Sequence, residues 1–200
     1  MVKDTYRTIK EHSEGLYKEK GSKFIAHAHP VSSEEEVKIL LEEYRKTYYD
    51  ARHVCYAYRL GSMGEQYRQN DDGEPSGTAG KPILGQLLSF DVTYILVIVI
   101  RYFGGVKLGV SGLIGAYREA AQDALMKAET KECIVTKPYR LTFDYPLMND
   151  VMRLLKEEEP EIKNQIFELS CTIDIGIRLR DEERIVARMQ QLYGLAIKKL

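Results

Sequence analysis

Two segments of the chain concentrate residues whose types and spacing can do chemistry. The first is Asn70-Asp71-Asp72-Gly73-Glu74-Pro75-Ser76-Gly77-Thr78-Ala79-Gly80-Lys81-Pro82. It carries more polar groups and backbone punctuation than a short connector needs. Asp71, Asp72 and Glu74 offer hard oxygen ligands for a cation, but the closing glutamate of a calcium loop is absent. The same carboxylates can instead order a binding loop by pairing with nearby arginine or lysine. A structural turn system with solvated acids accounts for them equally well.

The second segment is Arg101-Tyr102-Phe103-Gly104-Gly105-Val106-Lys107-Leu108-Gly109-Val110-Ser111-Gly112-Leu113-Ile114-Gly115-Ala116-Tyr117-Arg118. Closely spaced glycines leading from a strand into a helix leave backbone N–H groups free at the helix N-terminus, which suits an anion. From Tyr94 to Arg118 the bases are Arg101, Lys107 and Arg118, and no acid intervenes. Tyr102, Phe103 and Tyr117 can stack on bases or ribose. The phosphate-binding G-x-x-x-x-G-K-[ST] pattern fails, because Val110-Ser111 stands where Lys-Ser/Thr is required, and G-x-G-x-x-G is absent. A tight strand-to-helix turn explains the glycines without a ligand, but packing does not require Arg101 or Lys107.

His27 and His29 are two residues apart on one strand face, and His53 begins another strand. Paired histidines can ligate metal, yet two ligands do not make a site, and exposed strand histidines are the expectation. Cys55, Cys133 and Cys171 are odd in number and far apart, so they read as small buried hydrophobes in a reducing compartment. No motif nominates a nucleophile. The expectation is no catalytic residue, no metal and no cofactor.

The elements that must position these segments follow from periodicity and punctuation. Residues 4–11 and 22–31 read as opening strands. Ser32 or Ser33 caps a helix with Glu34, Glu35 and Glu36 in its first turn, where the helix dipole favours acid. Val37, Leu40, Leu41 and Tyr44 give it a core face. Residues 53–60 read as a strand, with Tyr67 and Arg68 in its hairpin partner. A helix from Ala79 or Pro82 to Ser89, a buried strand over 93–102 and a long helix to Ala128 follow. In the last, Leu113, Ala116, Ala120, Ala124 and Leu125 face inward. A charged stretch and Pro138 place a domain boundary at 130–137, separating 1–132 from 137–200. The order beyond it is strand 139–145, helix 147–158, strands 162–169 and 171–179, helix 181–192 and strand 195–199. Pro146 and Asp181 stand at the two helix starts. That order, β-α-β-β-α-β, is ferredoxin-like, and the fold class is α+β.

Composition limits the partners. The chain has 200 residues, 44% of them apolar and 30% charged, with net charge −1. No whole-protein field draws it to nucleic acid or membrane, so anion binding must be local. The longest apolar run, Tyr94 to Ile100, falls far short of the ~20 residues that span a bilayer. The polar, mixed-charge stretch from Met1 to Lys20 does not read as a signal peptide. A cytoplasmic protein without membrane partners is expected.

The two segments together are more specific than either alone. Asn-Asp-Asp-Gly-Glu-Pro-Ser-Gly-Thr-Ala-Gly-x-Pro-Ile at 70–83, Arg-Tyr-Phe-Gly-Gly-x-Lys-Leu-Gly at 101–109 and Gly-Leu-x-x-Ala-Tyr at 112–117 resemble the IMPACT family, also called the YigZ or UPF0029 family. Family members often carry Gly-Gly where this chain has Ser111-Gly112. The resemblance implies an N-terminal domain with a left-handed β-α-β fold, like domain 2 of ribosomal protein S5, followed by a small module like those of elongation factors. It also implies a link to translation: eukaryotic relatives regulate initiation by binding a partner of a starvation-sensing kinase.

The leading expectation is a non-enzymatic, translation-associated factor that contacts RNA or the ribosome. Its RNA- or anion-binding residues would be Arg101, Tyr102, Phe103, Gly104, Gly105, Lys107, Gly109, Tyr117 and Arg118. The facing loop would supply Arg68, Asn70, Asp71, Asp72, Glu74, Thr78 and Lys81, and the two segments should adjoin because the acids complement Arg101 and Lys107. One alternative is a small-molecule or metal-dependent phosphate-handling enzyme in which Asp71, Asp72 and Glu74 hold Mg²⁺. The other is a protein-binding adaptor serving the translation machinery.

Overall fold

The structure, a computed structural model, describes residues 4–200. It divides into two compact units. One is Tyr6–Cys133, and the other is Ile134–Leu200 together with Asp4 and Thr5.

Over residues 5–134 the strands are β1 (Thr5–Ile9), β2 (Ser13–Glu19), β3 (Ser22–Pro30), β4 (His53–Leu60), β5 (Gln66–Asn70), β6 (Ile95–Tyr102) and β7 (Thr130–Ile134). The helices are α1 (Glu34–Thr47), α2 (Gly80–Ser89) and α3 (Gly109–Lys127). β1 and β7 form a two-stranded ribbon, while the main sheet has the order β2-β3-β6-β4-β5. Every neighbouring pair in it is antiparallel. β3 and β4 therefore run parallel on either side of β6, and α1 joins them in a β-α-β crossover.

Period-two alternation divides the sheet between two cores. Phe24, Ala26, Ala28, Cys55, Ala57, Val97 and Val99 face α2 and α3. Val54, Tyr56, Tyr58, Leu96, Ile98 and Ile100 face α1. With both faces covered, β6 is apolar throughout Ile95–Ile100, and all six side chains are buried.

Local signals explain the helix starts. Ser33 Oγ accepts the Glu36 N–H at 3.2 Å, and Glu36 Oε2 accepts the Ser32 N–H at 2.6 Å, close to a capping box. Asp181 stands at a helix start but makes no capping hydrogen bond. Its carboxylate instead meets Arg180 and Arg184.

Two strands are absent from the sequence reading. β2 is an edge strand whose polar residues hide its alternation, and it is held by α3. Ser13 Oγ donates to the Ala124 carbonyl at 2.9 Å, and the Leu16 N–H donates to Asp123 Oδ2 at 2.8 Å. Gly15 allows this approach, since a Cβ there would lie 2.3 Å from Ala124 N. β7 occupies the stretch read as a boundary. Cys133 is half-buried rather than buried, unlike Cys55 and Cys171.

The second unit contains β8 (Thr136–Asp144), α4 (Met148–Glu158), β9 (Glu161–Ile166), β10 (Ser170–Arg178), α5 (Glu182–Gln190) and β11 (Ala196–Lys199). The sheet order β11-β8-β10-β9, antiparallel throughout, is the ferredoxin-like arrangement. Pro146 lies in the 3₁₀ turn that leads into α4. No helix among the described residues is long and apolar enough to cross a membrane.

Candidate functional site

β4 and β6 are neighbours with His53 opposite Arg101, so the loop after β5 and the turn after β6 open on the same end of the sheet. The two segments adjoin there. Arg101 Nη1 donates to Glu74 Oε1 at 2.6 Å, and the two side chains are 8% and 3% exposed. Tyr117 Oη, from α3, donates to the same oxygen at 2.8 Å. Cys55 Sγ lies 3.4 Å from Tyr117 Oη and 3.0 Å from the Asp71 carbonyl. The Arg101 guanidinium sits 5.5 Å from the Phe24 ring centroid and 5.7 Å from that of Phe103. Its Nε is buried without a hydrogen-bond partner among the described residues.

This chain of groups is a buried scaffold. Burial pushes the Cys55 thiol and the Tyr117 phenol far above their ordinary pKa values, with Glu74 adding to both. At neutral pH that favours the protonated thiol and phenol. Tyr117 is wholly buried, so the stacking role set out for it is corrected: its ring packs edge-on against Phe24. Arg101, set out as a phosphate contact, gives Nη1 to Glu74 and lies at the buried back of this end of the sheet.

The acidic loop is committed to its own shape. Asp71 Oδ1 accepts the N–H groups of Ala79 and Gly80 at 2.9 and 2.8 Å, and Oδ2 accepts that of Gly77 at 2.8 Å. Asp72 Oδ2 accepts the Val54 N–H at 2.7 Å, and Oδ1 accepts from Arg45 at 3.0 Å. Asn70 Oδ1 accepts the Asp72 N–H, and Thr78 Oγ1 donates to the Pro75 carbonyl. With Glu74 paired to Arg101, the Mg²⁺-holding role for Asp71, Asp72 and Glu74 does not fit these residues.

In front of this scaffold lies a cleft of about 460 Å³, lined in part by Arg52, His53, Glu74, Arg101, Phe103 and Lys107. The start of α3 completes it with Leu108, Gly109 and Val110. That helix has no side-chain cap and no acid in its first turn, so its first N–H groups keep their affinity for negative charge. Lys107 and Arg52 are exposed, and Phe103 is 48% exposed. His53 Nδ1 lies 2.7 Å from the Asp72 carbonyl, which can only accept. The proton shared with that carbonyl is on Nδ1, and Nε2 stands 3.9 Å from Glu74 Oε1 on the cleft side.

Several expected residues stand outside the cleft. Arg68 and Lys81 line a separate shallow depression with Leu84 and Leu88. Arg118 is exposed on α3 beside Glu119. Tyr102 Oη donates to Asp50 at 2.8 Å. Gly104 packs backbone to backbone on Gly21 and Ser22, and Gly105 is an exposed turn residue with φ +89°. The sequence does not mark Arg52, His53 or Cys55 as site residues. The β4–β6 register brings them here, and no local spacing signals it.

The histidines need a further correction. His27 is 4% exposed. Burial holds both His27 and His29 down at about 4, and the neighbouring His12 adds to the depression in each. They face α1, whose Tyr44 and Tyr48 cover them.

Comparison with known proteins agrees with this architecture. The Impact N-terminal domain family matches residues 20–125. IMPACT family member YvyE of Bacillus subtilis is 35% identical over 155 residues, covering 78% of this chain and 71% of that protein. IMPACT family member YigZ of Escherichia coli is 35% identical over 160 residues, covering 79% and 78%. A crystal structure described as that of an hypothetical protein superposes with TM-score 0.76 at 27% identity, covering 100% of this chain and 98% of that one. The chain, with its matching domain and relatives along most of its length, belongs to the IMPACT family.

Proposed function

We propose that the cleft between residues 71–75 and 101–113 binds RNA, making the protein a cytoplasmic, non-enzymatic, translation-associated factor. The observation that carries this reading is the uncapped start of α3 opening on the same cleft as Lys107, Arg52 and exposed Phe103. A phosphate meets backbone N–H groups and two cations there. A base or ribose meets the Phe103 ring, since base–aromatic stacking tolerates any sequence. His53 Nε2 hydrogen-bonds a ribose 2′-hydroxyl, which can donate or accept and which separates RNA from DNA. The link to translation rests on the family resemblance, and ribosomal RNA is the corresponding target.

The test is fluorescence anisotropy with single-stranded RNA and DNA of one sequence across a salt series, alongside ribosome co-sedimentation. Tighter binding to RNA that weakens steeply with salt is expected. Equal affinity for both strands would remove the 2′-hydroxyl contact, and salt-insensitive binding would remove the phosphate contacts.

A protein-binding adaptor is the second reading. It is favoured by the exposed apolar side chains Phe103, Val106, Val110 and Ile114 beside the cleft. Ribosome co-sedimentation that survives nuclease digestion of exposed RNA would support it over direct RNA contact.

A further inference from the structure

On the opposite face of the main sheet, His12, His27 and His29 each bring one ring nitrogen within 4.8 Å of the others'. We propose that these three histidines, with the Glu14 carboxylate as fourth ligand, bind a divalent transition-metal ion, Zn²⁺ foremost.

The placement follows from strand geometry. His27 and His29 are two residues apart on β3 and share the α1 face of the sheet. Glu14 on β2 stands directly opposite His27 in the antiparallel register. His12, just before β2, lays its ring on that of His29 with centroids 4.3 Å apart. His12 Nε2 is 3.0 Å from His27 Nδ1, and Glu14 Oε1 is 3.5 Å from His27 Nδ1 and 4.0 Å from His12 Nε2. Ligand atoms bound to one tetrahedral Zn²⁺ at about 2.0–2.1 Å stand roughly 3.3 Å from each other. The separations among His12, His27 and Glu14 bracket that value, the His29 nitrogen lies within 4.8 Å of those of the other two rings, and the exposed His12 and Glu14 side chains can close the rest.

The second observation is the arrangement behind the rings. His27 Nε2 pairs with Tyr48 Oη at 3.1 Å, and His29 Nε2 with Tyr44 Oη at 2.7 Å. Tyr44 and Tyr48 are one helical turn apart on α1, with their rings stacked. When each Nε2–H donates to its tyrosine, each Nδ1 keeps its lone pair. Metal-binding histidines are held in this way, with the rear N–H given to a fixed acceptor that sets the tautomer and ring angle. The ligand set, three imidazoles and a carboxylate, suits Zn²⁺ rather than Mg²⁺ or Ca²⁺. The His12 side chain is 38% exposed, which gives the ion a way in. Four protein ligands would close the coordination sphere, so the ion would act as a clamp between β2, β3 and the loop ahead of them.

The experiment uses the full chain, free of any histidine tag, stripped with chelator and then titrated with Zn²⁺ and with Co²⁺. Expected are one ion per chain, a visible Co²⁺ spectrum of tetrahedral type, and a Zn²⁺-dependent rise in melting temperature. His12→Ala alters an exposed ring ahead of β2 and should fold. It should weaken binding more than about tenfold, as should Glu14→Gln, and Tyr44→Phe should cost about 10–100-fold. Failure of the stripped wild type to take up one Zn²⁺ per chain overturns the proposal. Unchanged affinity in folded His12→Ala overturns it as well.

Discussion

Arg101 and Glu74 form an ion pair at 2.6 Å with both side chains almost fully withdrawn from water. Such a pair is costly to break from one side, because the remaining charge stays buried without compensation. Glu74→Gln should lower the unfolding free energy by about 3–5 kcal/mol, and Arg101→Ala by a similar amount. The double substitution should cost less than the sum of the two. Urea denaturation in a double-mutant cycle checks this, and additive losses would mean that the pair is not coupled.

Lys107 and Arg52 differ from Arg101 in being exposed at the cleft. Lys107→Ala and Arg52→Ala should change stability by no more than about 0.5 kcal/mol. Each should weaken RNA binding across sequences and reduce the salt slope by about 1. Anisotropy titrations at several salt concentrations separate this from a folding defect.

Neighbouring glycines in the turn after β6 should respond differently to alanine. A Cβ at Gly104 would lie 1.9 Å from the Gly21 carbonyl carbon, so the two backbones must part. Gly105 has open space, but φ is +89°. Gly104→Ala should cost about 3 kcal/mol or more, and Gly105→Ala about 1–2 kcal/mol of backbone strain. Chemical denaturation of both variants gives the ranking.

Asp71 gathers three backbone N–H groups. Asp71→Ala should destabilise the protein by at least about 2 kcal/mol, since buried donors lose a charged acceptor. Loss of hydrogen-exchange protection at Gly77, Ala79 and Gly80 should accompany it, and protection persisting at wild-type levels would contradict the clamp.

In the presence of chelator, acid should weaken the fold through His27 and His29. Their folded values near 4 lie below the ordinary 6.5. Between those values the unfolded chain binds more protons, so stability is full above about pH 6.5 and falls as pH drops toward 4. The combined loss should be on the order of a few kcal/mol. Melting curves from pH 4 to 7 should show a slope that His29→Gln reduces.

The sequence revealed most of this fold because several local signals agreed with the global arrangement. Ser33 and three following glutamates marked α1, and the alternation of Phe24, Ala26 and Ala28 marked β3. β2 was hidden because an edge strand need not be apolar, and its residues answer to Asp123 and Ala124 more than a hundred positions away. The candidate site was legible as two adjoining segments, since acids and bases were unevenly shared between them. The division of labour within it was not. Nothing in the spacing of Arg101 or Tyr117 separates a buried scaffold from a ligand contact, and only the register of β4 against β6 brings His53 and Arg52 to the cleft.

The grip of Asp71 on residues 77–80 has a kinetic consequence. A loop already fixed before an encounter does not have to be ordered during it, so little conformational entropy remains to be lost on binding. Association should then proceed at a rate set by diffusion and charge steering. Ligands that differ in affinity should differ chiefly in how long they stay.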